Sequence, residues 1–220
     1  MRARRLVIGL GLVGCVFILV GIGVVATYLR NAAAHNVIRS LGGEVWVRVD
    51  VEGNTRPAVW HDKPSDVYAL SLRGTRISDA DLKALGPYDS LRELSLVDTA
   101  ITGDGLRYIT SDNSLRKLSL GSTQVGDDSM LYVAQFRALH DIDLSYTKIT
   151  DDGLKHLRDL PHVQTLYLTS TQVTDKGMVY LNNMKLLSHL DVSDTRVTDA
   201  HATQLLGKNP RLDIFGASRP

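Results

Sequence analysis

Apolar residues recur every 24 positions through most of the chain, beginning at Val67. Two apolar columns lie two residues apart in every unit, and that spacing places both on one face of a short strand. The first column is Leu70, Leu94, Leu118, Ile142, Leu166 and Leu190, and the second is Leu72, Leu96, Leu120, Leu144, Leu168 and Val192. The pattern therefore predicts one strand per unit, with polar side chains on its opposite face.

The second half of each unit predicts a short helix, because two further apolar columns lie three residues apart. These columns are Leu82, Leu106, Met130, Leu154, Met178 and Ala202, and then Leu85, Ile109, Val133, Leu157, Leu181 and Leu205. A Ser or Thr followed by Asp, as in Thr150-Asp151 and Thr174-Asp175, stands just before the helix. Both are residue types that favour helix N-caps.

Six uninterrupted copies of this unit predict a solenoid, since a single strand and helix cannot bury their shared apolar face alone. Strands stack every ~4.8 Å, whereas helices need a diameter of ~10 Å. The stack is therefore expected to bend. The predicted fold is an α/β solenoid with a parallel β-sheet on its concave face and short helices on its convex face.

The repeated motif L-x-x-L-x-L-x-x-T-x-I/V-T-D-x-G-L-x-x-L resembles the leucine-rich repeat, in its short bacterial "T-D-x-G-L" form, which is similar to the cysteine-containing repeats of F-box proteins. The resemblance covers Val67 to Pro220. It implies a horseshoe-shaped arc and a binding function rather than an enzymatic one. One column departs from many family members by holding Thr where they hold Asn or Cys: Thr75, Thr99, Thr123, Thr147, Thr171 and Thr195. A hydroxyl at that position can still bond the turn backbone.

A run of 24 residues without a charge, from Leu6 to Leu29, follows the basic start of the chain. It exceeds the ~20 residues that cross a bilayer. Residues 1–30 are therefore predicted to be a cytoplasmic basic tip and an uncleaved transmembrane signal anchor. The arginines before the span place the N-terminus in the cytoplasm and the repeats outside it, in a single-pass protein of the cell membrane. Two alternatives stay open: cleavage near Ala34, and lipidation at Cys15.

The remaining boundaries follow from the pattern. Residues 31–66 are predicted to form a cap on the open end of the solenoid, with a helix over 31–41, a strand over 44–51 and a loop over 52–66. Residues 67–211 hold the six repeats. Residues 212–220 are read as a partial repeat whose frame slips to a spacing of 25, which would place Leu212, Phe215 and Ala217 in apolar columns.

Composition and charge point away from several functions. After residue 30 the chain holds 21 basic and 24 acidic groups, which argues against a nucleic-acid partner. The only cysteine is Cys15, and the histidines of the repeats occupy different repeat positions, so no metal site or cofactor is expected. An aspartate column could in principle hold calcium, but its place at the helix start favours helix capping: Asp127, Asp151, Asp175 and Asp199.

The concave face of the sheet remains as the candidate functional surface. Its later strands concentrate an aromatic ring among polar groups, a composition typical of protein-binding spots. The candidate partner-binding residues are Lys117, Asp141, Asp143, Thr165, Tyr167, His189 and Asp191. A merely solvated sheet face is the alternative. We therefore expect a non-enzymatic, membrane-tethered module that binds an unidentified protein at the cell envelope, without a small-molecule substrate. A structural envelope component without a specific ligand is the alternative function.

Overall fold

The computed structural model describes residues 36–48, 55–57, 67–86, 88–109 and 114–217. A short helix, α1, spans 36–40 and ends at Gly42, whose φ of +82° suits a residue without a Cβ. Strand β1 (Glu44–Arg48) follows and pairs antiparallel with β2 (Thr55–Pro57), which lies inside the stretch predicted to be a loop. In the residues of the cap that the structure describes, there is thus a helix and a pair of strands, where the sequence predicted a helix and one strand.

The repeats build one sheet with the cap. Strand β1 pairs antiparallel with β3 (Val67–Ser71), and from β3 onward seven strands run parallel in chain order. The strands after β3 are three residues long: β4 (Glu93–Ser95), β5 (Lys117–Ser119), β6 (Asp141–Asp143), β7 (Thr165–Tyr167), β8 (His189–Asp191) and β9 (Asp213–Phe215). Each strand pairs with the next at a spacing of 24, as Leu94 with Leu118 and Leu166 with Leu190.

The helical half of each unit changes along the array. The first repeats form 3-10 turns, Asp81–Leu85 and Asp104–Tyr108, and the third combines the 3-10 turn Asp127–Ser129 with α2 (Met130–Val133). True α-helices follow: α3 (Asp151–Leu157), α4 (Asp175–Leu181) and α5 (Asp199–Lys208). Thr150 and Thr174 cap α3 and α4 as predicted, because each hydroxyl accepts from the backbone N–H two residues on, at 3.2 Å.

A single apolar core runs between the sheet and the helices. The two strand columns and the two helix columns are buried from Leu70 to Leu205, which confirms the register of the six repeats. Each unit adds two strand and two helix side chains that contact the units on either side. Stability is therefore shared between neighbours, as expected for a stacked repeat array.

The threonine column closes each turn after the strand. Every hydroxyl donates to the carbonyl oxygen of the residue three positions earlier, at 2.5 to 2.8 Å: Thr75 to Leu72, Thr99 to Leu96, Thr123 to Leu120, Thr147 to Leu144, Thr171 to Leu168 and Thr195 to Val192. Threonine thus satisfies a backbone carbonyl in every one of these turns, as the sequence predicted.

The aspartates at the helix start bond across repeats. Asp127 accepts from the N–H of Thr150 at 2.8 Å and from its hydroxyl at 2.6 Å. Asp175 contacts Thr198 in the same way, at 2.8 and 3.0 Å. The prediction that these aspartates act as the caps of their own helices was therefore wrong for Asp127 and Asp175, because each of the two carboxylates bonds the N-cap threonine of the following unit.

The frame predicted for the last strand was wrong in one respect. Leu212 is buried at a spacing of 25 from Leu187, as expected, but Leu190 pairs with Ile214 at a spacing of 24. The segment from Leu187 to Leu212 is therefore one residue longer than in the other repeats. The segment from Leu212 to Ile214 is one residue shorter, which restores the 24-residue spacing of the strands. As a result Ile214 packs against the core, and Phe215 lies on the open face, 49% exposed.

No helix among the described residues is both long and apolar enough to span a bilayer. The transmembrane segment predicted at 6–29, the alternative cleavage near Ala34 and the alternative lipidation at Cys15 all lie outside the described residues.

Candidate functional site

The face of the sheet opposite the core carries every candidate residue predicted from the sequence. We call this surface the open face; it comprises two columns of outward-facing strand residues. The first column is Ala69, Glu93, Lys117, Asp141, Thr165, His189 and Asp213, and the second is Ser71, Ser95, Ser119, Asp143, Tyr167, Asp191 and Phe215. All seven predicted residues therefore share one surface, spread over four adjacent strands.

The strand register orders these side chains. Tyr167 is the direct partner of Asp143 on one side and of Asp191 on the other. Neighbouring strands lie about 4.8 Å apart, so the ring stands between two carboxylates. It is 39% exposed. The fold does not require a large ring here, since Ser71, Ser95 and Ser119 hold the same position in earlier strands.

The two carboxylates beside Tyr167 are held in place by their own turns. One oxygen of Asp143 accepts from the backbone N–H of Ser145, and one oxygen of Asp191 accepts from that of Ser193, each at 2.9 Å. Each bond fixes the rotamer of the aspartate and uses only part of its acceptor capacity. The remaining lone pairs can accept from a partner's N–H groups or pair with a cation.

Phe215 completes an aromatic group that sequence reasoning missed. Its ring lies 5.0 Å from that of His189, measured between centroids, in a tilted arrangement. Because Phe215 pairs with Asp191 in the sheet, it belongs to the same column as Tyr167, two strands further on. The 24-residue spacing from Asp191 to Phe215 could have placed this ring on the open face. The spacing of 25 from Leu187 to Leu212 pointed instead to a core position for Phe215.

A depression of about 560 Å³ occupies the other half of the open face, over β3 to β6. Small serines form its floor, and Glu93, Lys117 and Asp143 supply charge at its sides. Lys117 lies between Glu93 and Asp141 in the strand register. The open face is thus divided into a charged depression and a projecting aromatic group, with Asp143 bordering both.

Titratable groups with shifted pKa values lie away from the open face. Burial raises the pKa of Tyr88, whose side chain lies in the apolar core near the end of the first repeat. Partial burial also raises the pKa of Asp79, but hydrogen bonds from Thr102, Gly103 and Gly105 outweigh it, so the net shift is downward. Within the residues that the structure describes, no group of three or more His, Cys, Asp or Glu side chains is arranged to hold a metal ion.

Comparison with known proteins agrees with the architecture. A family profile described as "Leucine Rich repeat" matches residues 137–157 and 159–181, which cover most of the fourth and fifth repeats. Internalin C2 of Listeria monocytogenes is similar in structure, with a TM-score of 0.52 and 20% identity, over 83% of this chain and 81% of that one. Residues 137–157 and 159–181 thus match leucine-rich repeats, and the parallel sheet with short helices is similar in fold to internalin C2.

Two further solved structures are more distant. The PEPR1–AtPEP1 complex has a TM-score of 0.46 and 17% identity, over 79% of this chain and 22% of that one. A leucine-rich-repeat protein of Leptospira interrogans has a TM-score of 0.45 and 20% identity, over 60% and 33%. No curated protein sequence matches the chain.

Proposed function

We propose that this protein is a non-enzymatic binding module that captures a protein partner on the open face of its sheet. The observation that carries the proposal is the exposed aromatic group, Tyr167 and Phe215 in one column with Asp191 between them. Exposed rings beside polar side chains are typical of interface hot spots. Leucine-rich-repeat proteins commonly bind other proteins, and this fold supports the same use here.

The proposal includes a membrane tether. Residues 6–29 would hold the protein in the cell membrane, with the N-terminus in the cytoplasm and the repeats in the cell envelope. The length of the uncharged run and the arginines before it support this placement. Alkaline carbonate washing of membranes from cells that express the full chain tests it, since an anchored protein stays in the pellet. A soluble protein with a mature N-terminus near Ala34 would show that the segment is a cleaved signal peptide.

Proximity labelling from the intact protein tests the binding function. A reproducible extracytoplasmic partner is expected, and its absence would favour a structural envelope component without a ligand. Tyr167→Ala combined with Asp143→Ala should weaken capture of that partner by ~2 kcal/mol, about 30-fold, as hot-spot truncations do. The matched control is Lys155→Ala with Val179→Ala, two exposed side chains on the helical side, which should leave capture intact.

A third variant locates the partner on the open face. Ser95→Tyr places a ring in the depression without touching Tyr167, whose strand is three positions away in the sheet. Loss of capture in this variant would place the partner across both halves of the face. Unchanged capture would confine the partner to the aromatic half.

A further inference from the structure

The two edges of the repeat array carry opposite charge. We define the strand-start edge as follows: in each unit it comprises the last two residues of the helix and every residue after them until the next strand begins. The strand-end edge runs from the residue after each strand to the second residue of the following helix. In the part of the chain that the structure describes, the strand-start edge of the repeats holds eight Lys or Arg and two Asp, a net charge of +6. The strand-end edge holds five Lys or Arg and eleven Asp, a net charge of −6.

The separation of acidic from basic residues begins in each single helix and accumulates along the stack of repeats. Acidic residues favour helix N-termini and basic residues favour C-termini, and every helix here runs from the strand-end edge to the strand-start edge. Stacking in register repeats this bias along seven parallel strands, a row about 30 Å long. A row of like charge produces a field that reaches beyond individual pairs and can orient the whole domain toward a charged surface.

Two arginines and a histidine precede three neighbouring strands: Arg92 before β4, Arg116 before β5 and His140 before β6. The backbone N–H of Arg116 donates to the carbonyl of Arg92 at 2.7 Å, and that of His140 donates to the carbonyl of Arg116 at 2.8 Å. The side chains of Arg116 and His140 approach to 3.3 Å, and the ring of His140 stacks on that of His162 at 5.8 Å. Arg116 and Arg137 are exposed. Later units add exposed basic side chains at other positions of the same edge: Arg158, Lys185, Lys208 and Arg211. The edge therefore presents basic side chains to solvent along its length.

The chain enters the solenoid a short distance after the proposed membrane segment. Strand β1 begins opposite the end of β3, since Glu44 pairs with Ser71, so α1 joins the sheet at the strand-end edge. The predicted membrane segment ends at Leu29, only seven residues before the first residue of α1. A membrane surface that held that segment would therefore lie within reach of either edge, and the charge of the two edges decides which of them faces it.

We propose that the strand-start edge docks on anionic lipid headgroups, so that the repeats stand on the membrane with their acidic edge pointing away. This inference rests on the proposed tether, which keeps the edge near the bilayer. Basic residues near an anionic surface are attracted to it, whereas the eleven aspartates of the opposite edge are repelled. The open face would then lie beside the membrane, accessible to a partner that approaches laterally.

The experiment compares two probe positions on one repeat. Gln164 lies immediately before β7 on the strand-start edge, and Gln172 lies after β7 on the strand-end edge; both are exposed. Gln164→Cys and Gln172→Cys are made separately in the full chain with Cys15→Ser, labelled with a fluorophore and reconstituted into vesicles that carry a headgroup quencher. In vesicles of phosphatidylglycerol and phosphatidylcholine, the probe at 164 should be quenched about twofold more than the probe at 172. The difference should disappear in pure phosphatidylcholine and in about 1 M sodium chloride, where the Debye length is only about 3 Å.

Charge-reversal variants provide the matched control. Arg116→Glu with Arg137→Glu should abolish the difference, while Arg76→Glu with Arg196→Glu, on the strand-end edge, should preserve it. Equal quenching at both positions, or an unchanged difference in pure phosphatidylcholine, would overturn the inference. Flotation of the same vesicles separates the two proposals. Co-flotation of the protein with pure phosphatidylcholine vesicles supports the membrane tether. Equal quenching at both positions in vesicles that do float would reject the docking of the strand-start edge and leave the tether intact. Failure to float with either vesicle rejects both.

Discussion

The carboxylate of Asp151 binds Thr174 of the next repeat with both oxygens. One oxygen accepts from the backbone N–H at 2.8 Å, and the other accepts from the hydroxyl at 2.7 Å. The same hydroxyl accepts from the N–H of Lys176 and so caps α4. A side chain in one unit thereby fixes the start of the helix in the following unit, and the pair couples neighbouring repeats outside the apolar core.

We expect Asp151→Ala to lower the free energy of unfolding by about 1 to 3 kcal/mol, because it leaves two partly buried donors of Thr174 without an acceptor. Urea unfolding followed by circular dichroism measures the change. Asp128→Ala is the control, an exposed aspartate at another helix start, and it should stay within about 0.5 kcal/mol. If the two changes lower the unfolding free energy equally, the bond from Asp151 to Thr174 contributes no more to stability than the interaction of any aspartate with the start of a helix.

The recurrence of this pair between repeats explains the glycine of the T-D-x-G-L motif. A Cβ at Gly153 would lie 2.5 Å from Oδ1 of Asp127, so any larger residue displaces the carboxylate. The junction between the second and third repeats departs at three positions together: Gly103 replaces the aspartate of the second repeat, Gly126 replaces the threonine of the third, and Ser129 occupies the glycine position of the third. A Cβ at Gly103 would in turn lie 2.5 Å from the Cβ of Ser129.

Gly153→Ala should therefore destabilise the protein, although alanine has a helix propensity about 1 kcal/mol better than glycine. Gly207→Ala is the matched comparison, because nothing lies within 4 Å of the added Cβ in α5. That change should be neutral or stabilise by up to about 1 kcal/mol. Thermal melts of both variants give the result, and a Gly153→Ala protein that melts above the wild type would contradict the proposed close contact.

Tyr146 has a left-handed backbone, with φ of +56°, and its side chain is 59% exposed. Other repeats hold Gly74, Asp98, Ser122, Ser170 or Asp194 at this position. A bulky residue there costs roughly 1 kcal/mol, whereas Asn tolerates the conformation. Tyr146→Asn should raise the unfolding free energy by up to about 1 kcal/mol in urea titration.

A glycine in the same column checks the backbone origin of that effect. Gly74 has φ of +67° and nothing within 4 Å of an added Cβ, so Gly74→Ala introduces strain without a clash. It should destabilise by about 1 kcal/mol. If Tyr146→Asn destabilises the protein while Gly74→Ala has no effect, the left-handed backbone does not determine which residues are tolerated at this repeat position.

The register of β9 can be tested with two neighbouring residues. Ile214 packs against the core and Phe215 lies on the open face. Ile214→Ala should lower the melting temperature through lost apolar burial, while Phe215→Ala should leave it nearly unchanged. The opposite result would restore the spacing of 25 predicted from the sequence.

Acid should weaken the junction between the first two repeats through Asp79. The hydrogen bonds to this carboxylate place its pKa below the ordinary value of 3.8. A group with a lowered folded-state pKa contributes its stability above the unfolded value and loses it as pH falls through the folded value. The loss should therefore begin near pH 3.8 and continue below it. Asp79→Asn should reduce the slope of stability against pH in this window, and an identical slope would show that Asp79 is not linked to folding.

The repeat pattern alone predicted the strands β3 to β8, the helical segments of the repeats and their core, because apolar columns with a 24-residue period and spacings of two and three place the same side chains inside every unit. It also placed Lys117, Asp141, Asp143, Thr165, Tyr167, His189 and Asp191 on one face, since strand alternation is local. Thr150 and Thr174 were correctly predicted as caps for the same reason.

Only the tertiary structure decided the features that depend on one unit meeting another. The sequence does not show that Asp151 bonds Thr174, because the contact spans 23 residues and forms only when the repeats stack. Nor does it show that Ile214, rather than Phe215, enters the core, since the frame is recovered by pairing with β8. The depression over the serine-lined strands and the opposite charges of the two edges likewise arise from stacking, which turns small local preferences into a continuous surface.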